Sequence, residues 1–386
     1  MRFFLLLLCA LLATPGMTQS SELTEQLDGV NLPGLRFRNV GPAITSGRIA
    51  DFAVHPDNPK IYYVATASGG VWKTVNGGTT YQPLFDQQGS YSIGVVTIDP
   101  HNDDIVWVGT GENNGQRSVS YGDGVYKSLD GGASWQHMGL KESNHIGSLI
   151  VDPEQPGRVY VAAMGPIWSA GGERGVYISD DGGDTWRNTL AIDEHTGVSE
   201  IVQHPTDPNV LYAAAYQRRR HVFTYIGGGP GSALYKSTDR GETWEKIGKG
   251  LPTVDLGRIG LAISPADPDI IYAMVEAAQG QGGFFKSTDA GASWQKQSSY
   301  STVGLYYQEI FADPVDTDRI YAMDTWLHYS DDGGRTFKVL GEDTKHVDNH
   351  AMWINPADPE HILVGCDGGI YETFDRARTW SYKPNL

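Results

Sequence analysis

The densest run of chemistry-bearing side chains is His346-Val347-Asp348-Asn349-His350, in which two imidazoles and a carboxylate alternate. Alternate residues of an extended segment share a face, so His346, Asp348 and His350 form a candidate site for zinc or a similar divalent ion. Glu112 and Asp367 are candidate additions to that set. Glu112 and Asp348 also read as an acid and base pair for glycoside cleavage, which requires two carboxyl groups at a defined separation. So short a pattern is equally met by hydrogen-bonded polar residues at a strand junction. The basic run Arg218-Arg219-Arg220-His221 suits a carboxylate or sulfate group, or neighbouring acids of the chain itself. Trp168 and Trp326 offer flat faces to sugar rings, or cover the edges of the fold.

The elements that must position these residues announce themselves by repetition. A turn signature returns seven times: KTVNGGTTY, KSLDGGASW, ISDDGGDTW, KSTDRGETW, KSTDAGASW, YSDDGGRTF and ETFDRARTW. Its key residues are Asn76, Asp130, Asp181, Asp239, Asp289, Asp332 and Asp375, spaced 43 to 58 residues apart. A period of that length means one supersecondary unit per copy. Each unit reads as four short strands punctuated by turn residues, and seven such units closed in a circle make an all-β, seven-bladed β-propeller. In each turn the acid reads as a cap that accepts backbone N–H groups, beside a glycine suited to positive φ. Asn76 in the first copy can cap but makes a poor catalytic acid, so the seven read as scaffold.

The signature resembles the Asp-box, or bacterial neuraminidase repeat, of sialidases, sortilin-type sorting receptors, xyloglucan-specific endoglucanases and a photosystem assembly factor. Longer stretches are similar to large secreted bacterial repeat proteins described as sortilin-type or glycosyl-hydrolase-like: LRFRNVGPAITSGRI, VGTGENNGQRSVSYGDGVYKS, AYQRRRHVFTYIGGGPGSALYKS and HVDNHAMWINPADPEHILVGCDGGIYE. The resemblance implies the propeller fold over nearly the whole mature chain and says little about activity. Two departures from the enzymatic relatives stand out. The chain has no R-I-P element of the sialidase kind, and Ala67-Ser68-Gly69-Gly70 fills the place where the endoglucanases carry an acid.

Aligning the seven inner strands on their terminal prolines places Phe52, Val96, Leu149, Ile201, Leu261, Ile310 and Met352 four residues before the proline, as an interblade core. Asp51, Glu200 and Glu309, five before it, face the channel. Further back, apolar residues give way to polar ones at one end of the ring, where the long second-to-third-strand loops also gather. Binding concentrates on such loops. The expected ligand-binding surface is therefore a channel mouth built by Arg48, Glu112, His145, Arg219, Tyr306, His346, Asp348 and His350.

Composition narrows the classes. Met1-Arg2 and the apolar run from Phe3 to Leu12 read as a secretory signal, with residues 1–20 removed, 21–34 a linker and 35–386 the propeller. The run is too short to span a bilayer as a mature helix. Cleavage leaves Cys366 alone, so packing and ring closure must stabilise the fold. At a formal charge of −17, nucleic acid is excluded as a partner, because phosphate binding needs a basic field. The expectation is a secreted or periplasmic binding module for a peptide or glycan, with no cofactor required and a divalent metal as an option. The alternatives are a glycosidase-like enzyme or a structural part of a larger surface protein. Phe37–Val40 and Trp380–Leu386 both suit the outer strand of the last blade, which suggests further domains of a longer chain.

Overall fold

Each signature closes a hairpin through a fixed set of bonds. In the second copy Asp130 Oδ1 accepts from Ser134 N at 2.8 Å and Oδ2 from Ser134 Oγ at 2.6 Å, while Ser128 Oγ accepts from Gly132 N at 2.8 Å. The donors hold Asp130, Asp181, Asp289, Asp332 and Asp375 down at about 2. Asn76 reproduces the geometry: its Oδ1 accepts from Thr80 N at 2.9 Å and its Nδ2 donates to Thr80 Oγ1. Replacing Asp239 with Ala should lower stability by about 1 kcal/mol, as for a lost cap. An unchanged midpoint of chemical denaturation in that variant would refute a stabilising role.

The computed structural model describes residues 47–341, 343–384 and 386. Two units are distinguished, Met1–Gly41 and Pro42–Leu386. The first lies outside the described residues, as do the expected signal segment, the linker and the Phe37–Val40 strand. The second forms seven antiparallel sheets whose strands run in sequence order from the inside outward. The inner strands are Ile49–Val54, Ile93–Ile98, Ile146–Val151, Thr196–Gln203, Leu256–Ile263, Ile310–Ala312 and Asn349–Ile354. Blade four carries one additional strand, Tyr225–Gly227, on its lengthened second strand Leu211–Arg220. The outer place in blade seven is held by Ser381–Lys383.

Among the described residues the core is seven apolar clusters, one between each pair of adjacent blades. The cluster of Ile49, Phe52, Tyr62 and Val64 with Ala351, Leu363 and Ile370 joins blade seven to blade one and closes the ring. All seven residues four before the prolines are buried, as expected. A lysine opens several signatures and latches one blade to the next: Lys73, Lys127 and Lys236 donate to the carbonyls of Gly131, Gly182 and Ala290. Each of these ammonium groups also lies over an aromatic ring of its own blade.

One feature breaks the simple alternation. Pairing registers shift at or beside Ala50, Gly94, Gly147, Ser199 and His350, so these inner strands carry a bulge six residues before their prolines. A bulged residue presses on the neighbouring blade's backbone: a Cβ on Gly94 would lie 2.2 Å from Ile146 O, and one on Gly147 2.2 Å from Ser199 O. Of these five bulged strands, that of blade seven places a large polar side chain, His350, at the bulge.

Candidate functional site

The first blade begins at Gly47-Arg48, where the chain enters its inner strand, and this places the Arg48 guanidinium at the loop-bearing end of the ring. It donates through Nε to Asp367 Oδ1 at 2.8 Å, through Nη1 to Glu112 Oε1 and through Nη2 to the Tyr306 hydroxyl. Tyr306 in turn donates to Asp367 Oδ2 at 2.9 Å. Residues from blades one, two and seven and from the segment entering blade six thus meet on one cation. Burial pushes the Asp367 carboxyl up, but His350 and Arg48 outweigh it and hold the group well below the usual carboxylate range. Burial also drives the Tyr306 hydroxyl far up, so it serves as a donor.

The bulge at His350 aims its ring into this network. Nε2 lies 3.1 Å from Asp367 Oδ1, off the direction of a well-aligned hydrogen bond. The ring stacks on Tyr307 with centroids 5.3 Å apart and meets Tyr306 edge-on at 4.7 Å. Tyr307 donates to Asp348 Oδ1 at 2.5 Å. Asp348 adopts φ of 63°, a left-handed conformation outside regular strand geometry.

That conformation explains why the metal set is not assembled. Strand alternation requires extended backbone, and Asp348 leaves it. Its carboxylate goes to Tyr307, the His346 imidazole to the Val347 carbonyl at 2.7 Å, and His350 to Asp367. Among the described residues no group of three or more His, Cys, Asp or Glu is arranged to hold a metal ion. The acid and base pair is likewise divided between separate partners, Glu112 on Arg48 and Asp348 on Tyr307.

Of the expected surface, then, Arg48, Glu112, Tyr306 and His350 come together, and Asp348 joins through Tyr307. His145 is a buried support: Nδ1 lies 2.8 Å from the Glu112 carbonyl, and burial with the nearby Arg218 drives its pKa well below the usual value. The His346 side chain is exposed and turned to its own neighbour, with Nδ1 against the Val347 carbonyl. Arg219 lies in blade four beside Arg174, its Nη1 buried without a hydrogen-bond partner. Its neighbours serve a structural end. Arg218 Nη1 donates to Asn114 O at 2.8 Å and Arg220 Nε to Gly115 O at 3.1 Å, fixing the blade-two loop.

That loop, residues 111–122, crosses the ring. Glu112 reaches Arg48 of blade one, Asn113 Nδ2 donates to Glu309 Oε1 of blade six at 2.8 Å, and Gly115 N donates to Leu305 O at 2.6 Å. It leaves two spaces. An open pocket of about 450 Å³ is lined by Arg48, Ser68, Trp72, Glu112, Ser118 and Asp367, among others. A channel cavity of about 160 Å³ is lined by Asp51, Asn113, Glu200, Arg258 and Glu309 with small inner-strand residues. Asp51, Glu200 and Glu309 therefore face the channel, as the alignment on prolines implied. Burial, with repulsion from Glu309, raises Asp51 to about 7 and Glu200 to about 8. The same face exposes Tyr91, Tyr121, Trp168, Phe223 and Trp326.

The residues missing from the sequence reading are Tyr307 and Arg258. Both act across blade boundaries, and neither falls in a motif.

Comparison with known proteins fits this architecture. Residues 123–249 match the family model described as sortilin, neurotensin receptor 3. A xyloglucanase from Acetivibrio thermocellus is 30% identical over 208 residues, which cover 51% of this chain and 22% of the relative. The vacuolar protein sorting/targeting protein 10 of Colletotrichum graminicola is 25% identical over 50% of this chain and 12% of its own length. The matched segments thus span about a fifth or less of these relatives. Among solved structures, the GH74 xyloglucanase from Xanthomonas campestris superposes with a TM-score of 0.65 at 17% identity, covering 89% of this chain and 55% of its own. YCF48 bound to D1 peptide gives 0.55 at 15% identity, covering 88% and 98%. With the seven blades and their repeated turns, these likenesses support a β-propeller similar to those of sortilin-type proteins and xyloglucanases.

Proposed function

We propose that this chain is a secreted binding module that takes a glycan or peptide segment on its loop-bearing face. The observation that carries the reading is the Arg48 network at the wall of the open 450 Å³ pocket. Charged groups held at fixed positions, with tyrosine hydroxyls oriented among them, recognise a polar ligand without having to reorganise. The exposed aromatic residues around the same face supply apolar contact of the kind that sugars and peptides share. The names of the relatives point to the same two ligand classes: xyloglucan for one group, a D1 peptide for another. Secretion rests on the apolar run from Phe3 to Leu12.

Binding is favoured over cleavage by the placement of the carboxylates. Glycoside cleavage needs two carboxyl groups able to reach the scissile bond, whereas Glu112 is engaged by Arg48 and Asp348 by Tyr307. The test is a screen of the mature protein and its His350→Ala variant against immobilised plant and bacterial glycans and a random peptide library. The wild type is expected to bind members of one class. The variant, which loses the ring wedged between Tyr306 and Tyr307, should bind roughly tenfold or more weakly, a loss of about 1.4 kcal/mol, with its fold intact. Release of oligosaccharides from xyloglucan would replace binding with hydrolysis, and silence against both classes would leave a structural role.

A further inference from the structure

Three carboxylates from different blades surround the channel cavity beneath the blade-two loop: Asp51 of blade one, Glu200 of blade four and Glu309 of blade six. One cation faces them, Arg258 of blade five, 3.2 Å from Glu309 Oε1. Full ionisation would leave two uncompensated negative charges in a narrow, partly buried space, where repulsion is stronger than in water. The loop is seated on this arrangement, since Asn113 lines the cavity and donates to the same Glu309 oxygen that Arg258 approaches.

We propose that residues 111–122 form a pH-sensitive plug, seated over the channel while Asp51 and Glu200 beneath it hold protons and released when they ionise. The inference concerns the seating of the loop and stands whatever the face binds. Releasing the plug lets water reach the carboxylates and returns their pKa values toward those of free side chains, so the released state binds fewer protons between those values and the seated ones. Seating is thus fully favoured below about 4 and is lost as pH rises through about 7 and 8, the values of Asp51 and Glu200 in the seated protein. The other charged groups around the loop do not supply this dependence. Glu112 is paired with Arg48, Arg218 and Arg220 are bound to loop carbonyls, His145 is buried beneath Glu112, and Glu276 accepts from the Arg258 backbone and does not line the cavity.

Arg117, exposed within the loop, provides the readout. Tryptic cleavage after Arg117 is followed by mass spectrometry from pH 6 to 9 in the wild type and in Asp51→Asn/Glu200→Gln, with the ratio of rates at each pH removing the protease's own dependence. That ratio is expected to rise roughly tenfold or more across the range. Should the double variant fail to fold, Glu200→Gln alone takes its place, with a smaller rise expected because Asp51 still ionises. A constant ratio overturns the proposal. So does a parallel acceleration at Lys60, on the opposite face, which would mean that the whole ring opens.

Discussion

Replacing Arg240 with alanine is expected to destabilise the propeller by about 3–4 kcal/mol, near the cost of stranding one member of a buried ion pair. Arg240 sits in the fourth turn signature at the place where four other copies have glycine, and it adopts φ of 60°. Its side chain crosses to blade three. Nη1 donates to both oxygens of Asp152 at 3.0 and 2.9 Å, and Nη2 to Glu154. The Asp152 side chain is wholly buried, so its charge has no water to fall back on. It keeps the Tyr160 hydroxyl at 3.0 Å and the backbone N–H groups of Glu154 and Gln155, which temper the loss without supplying a countercharge.

Arg240→Gly separates the two parts of the effect, because glycine removes the same cation while relieving the left-handed backbone. It should be destabilised less than Arg240→Ala, by roughly the Gly–Ala difference of about 0.5–1 kcal/mol. Urea midpoints of the three proteins provide the check. A shift below about 1 kcal/mol for Arg240→Ala would show that Tyr160 and the backbone donors suffice for Asp152. The seventh copy gives an internal comparison: Arg376 occupies the same place, but its guanidinium stands 3.9 Å from Asp313, and both Arg376 Nε and Asp313 Oδ2 lack hydrogen-bond partners. The lock between blades six and seven is therefore looser, and Arg376→Ala should cost less.

These locks also show what was legible in the sequence. The blades were legible because a turn needing an acid, a glycine and an aromatic residue imposes its own spacing, whatever surrounds it. The buried position four before each proline and the channel position five before it followed from strand alternation. The position six before it did not, because a bulge there suspends the period-two rule, and His350 therefore points at Asp367 rather than along a face shared with His346. Asp367 was visible only as a candidate metal ligand. Its pairing with Arg48 joins residues 319 positions apart, a proximity created by ring closure and carried by no local pattern. The crossing of the blade-two loop is of the same kind. Its length was evident, but the arginines that hold it read as a ligand site, since nothing in Arg218-Arg219-Arg220 distinguishes a guanidinium aimed at a loop carbonyl from one aimed at solvent.

Removal of Arg48 should have the broadest consequences at the proposed binding face. In Arg48→Met the aliphatic stem is retained, while Glu112, whose side chain is 5% exposed, and Asp367 lose their shared cation. A stability loss of about 3 kcal/mol is expected, at the lower bound for a broken buried pair because Asp367 and Arg48 keep some contact with water. The pH profile gives the more specific signature. Asp367 is held below its unfolded value in the wild type, so its contribution to stability is present above about 4 and is lost as pH falls through the depressed folded value. Without Arg48, burial is left opposed mainly by His350, and the depression shrinks. The stability difference between wild type and variant should therefore be largest at neutral pH and narrow as pH drops below about 4. Urea denaturation at pH 7 and pH 3 measures it. A gap that stays the same at both pH values would place the effect in lost packing of the side chain and would remove Arg48 as the electrostatic centre of the site.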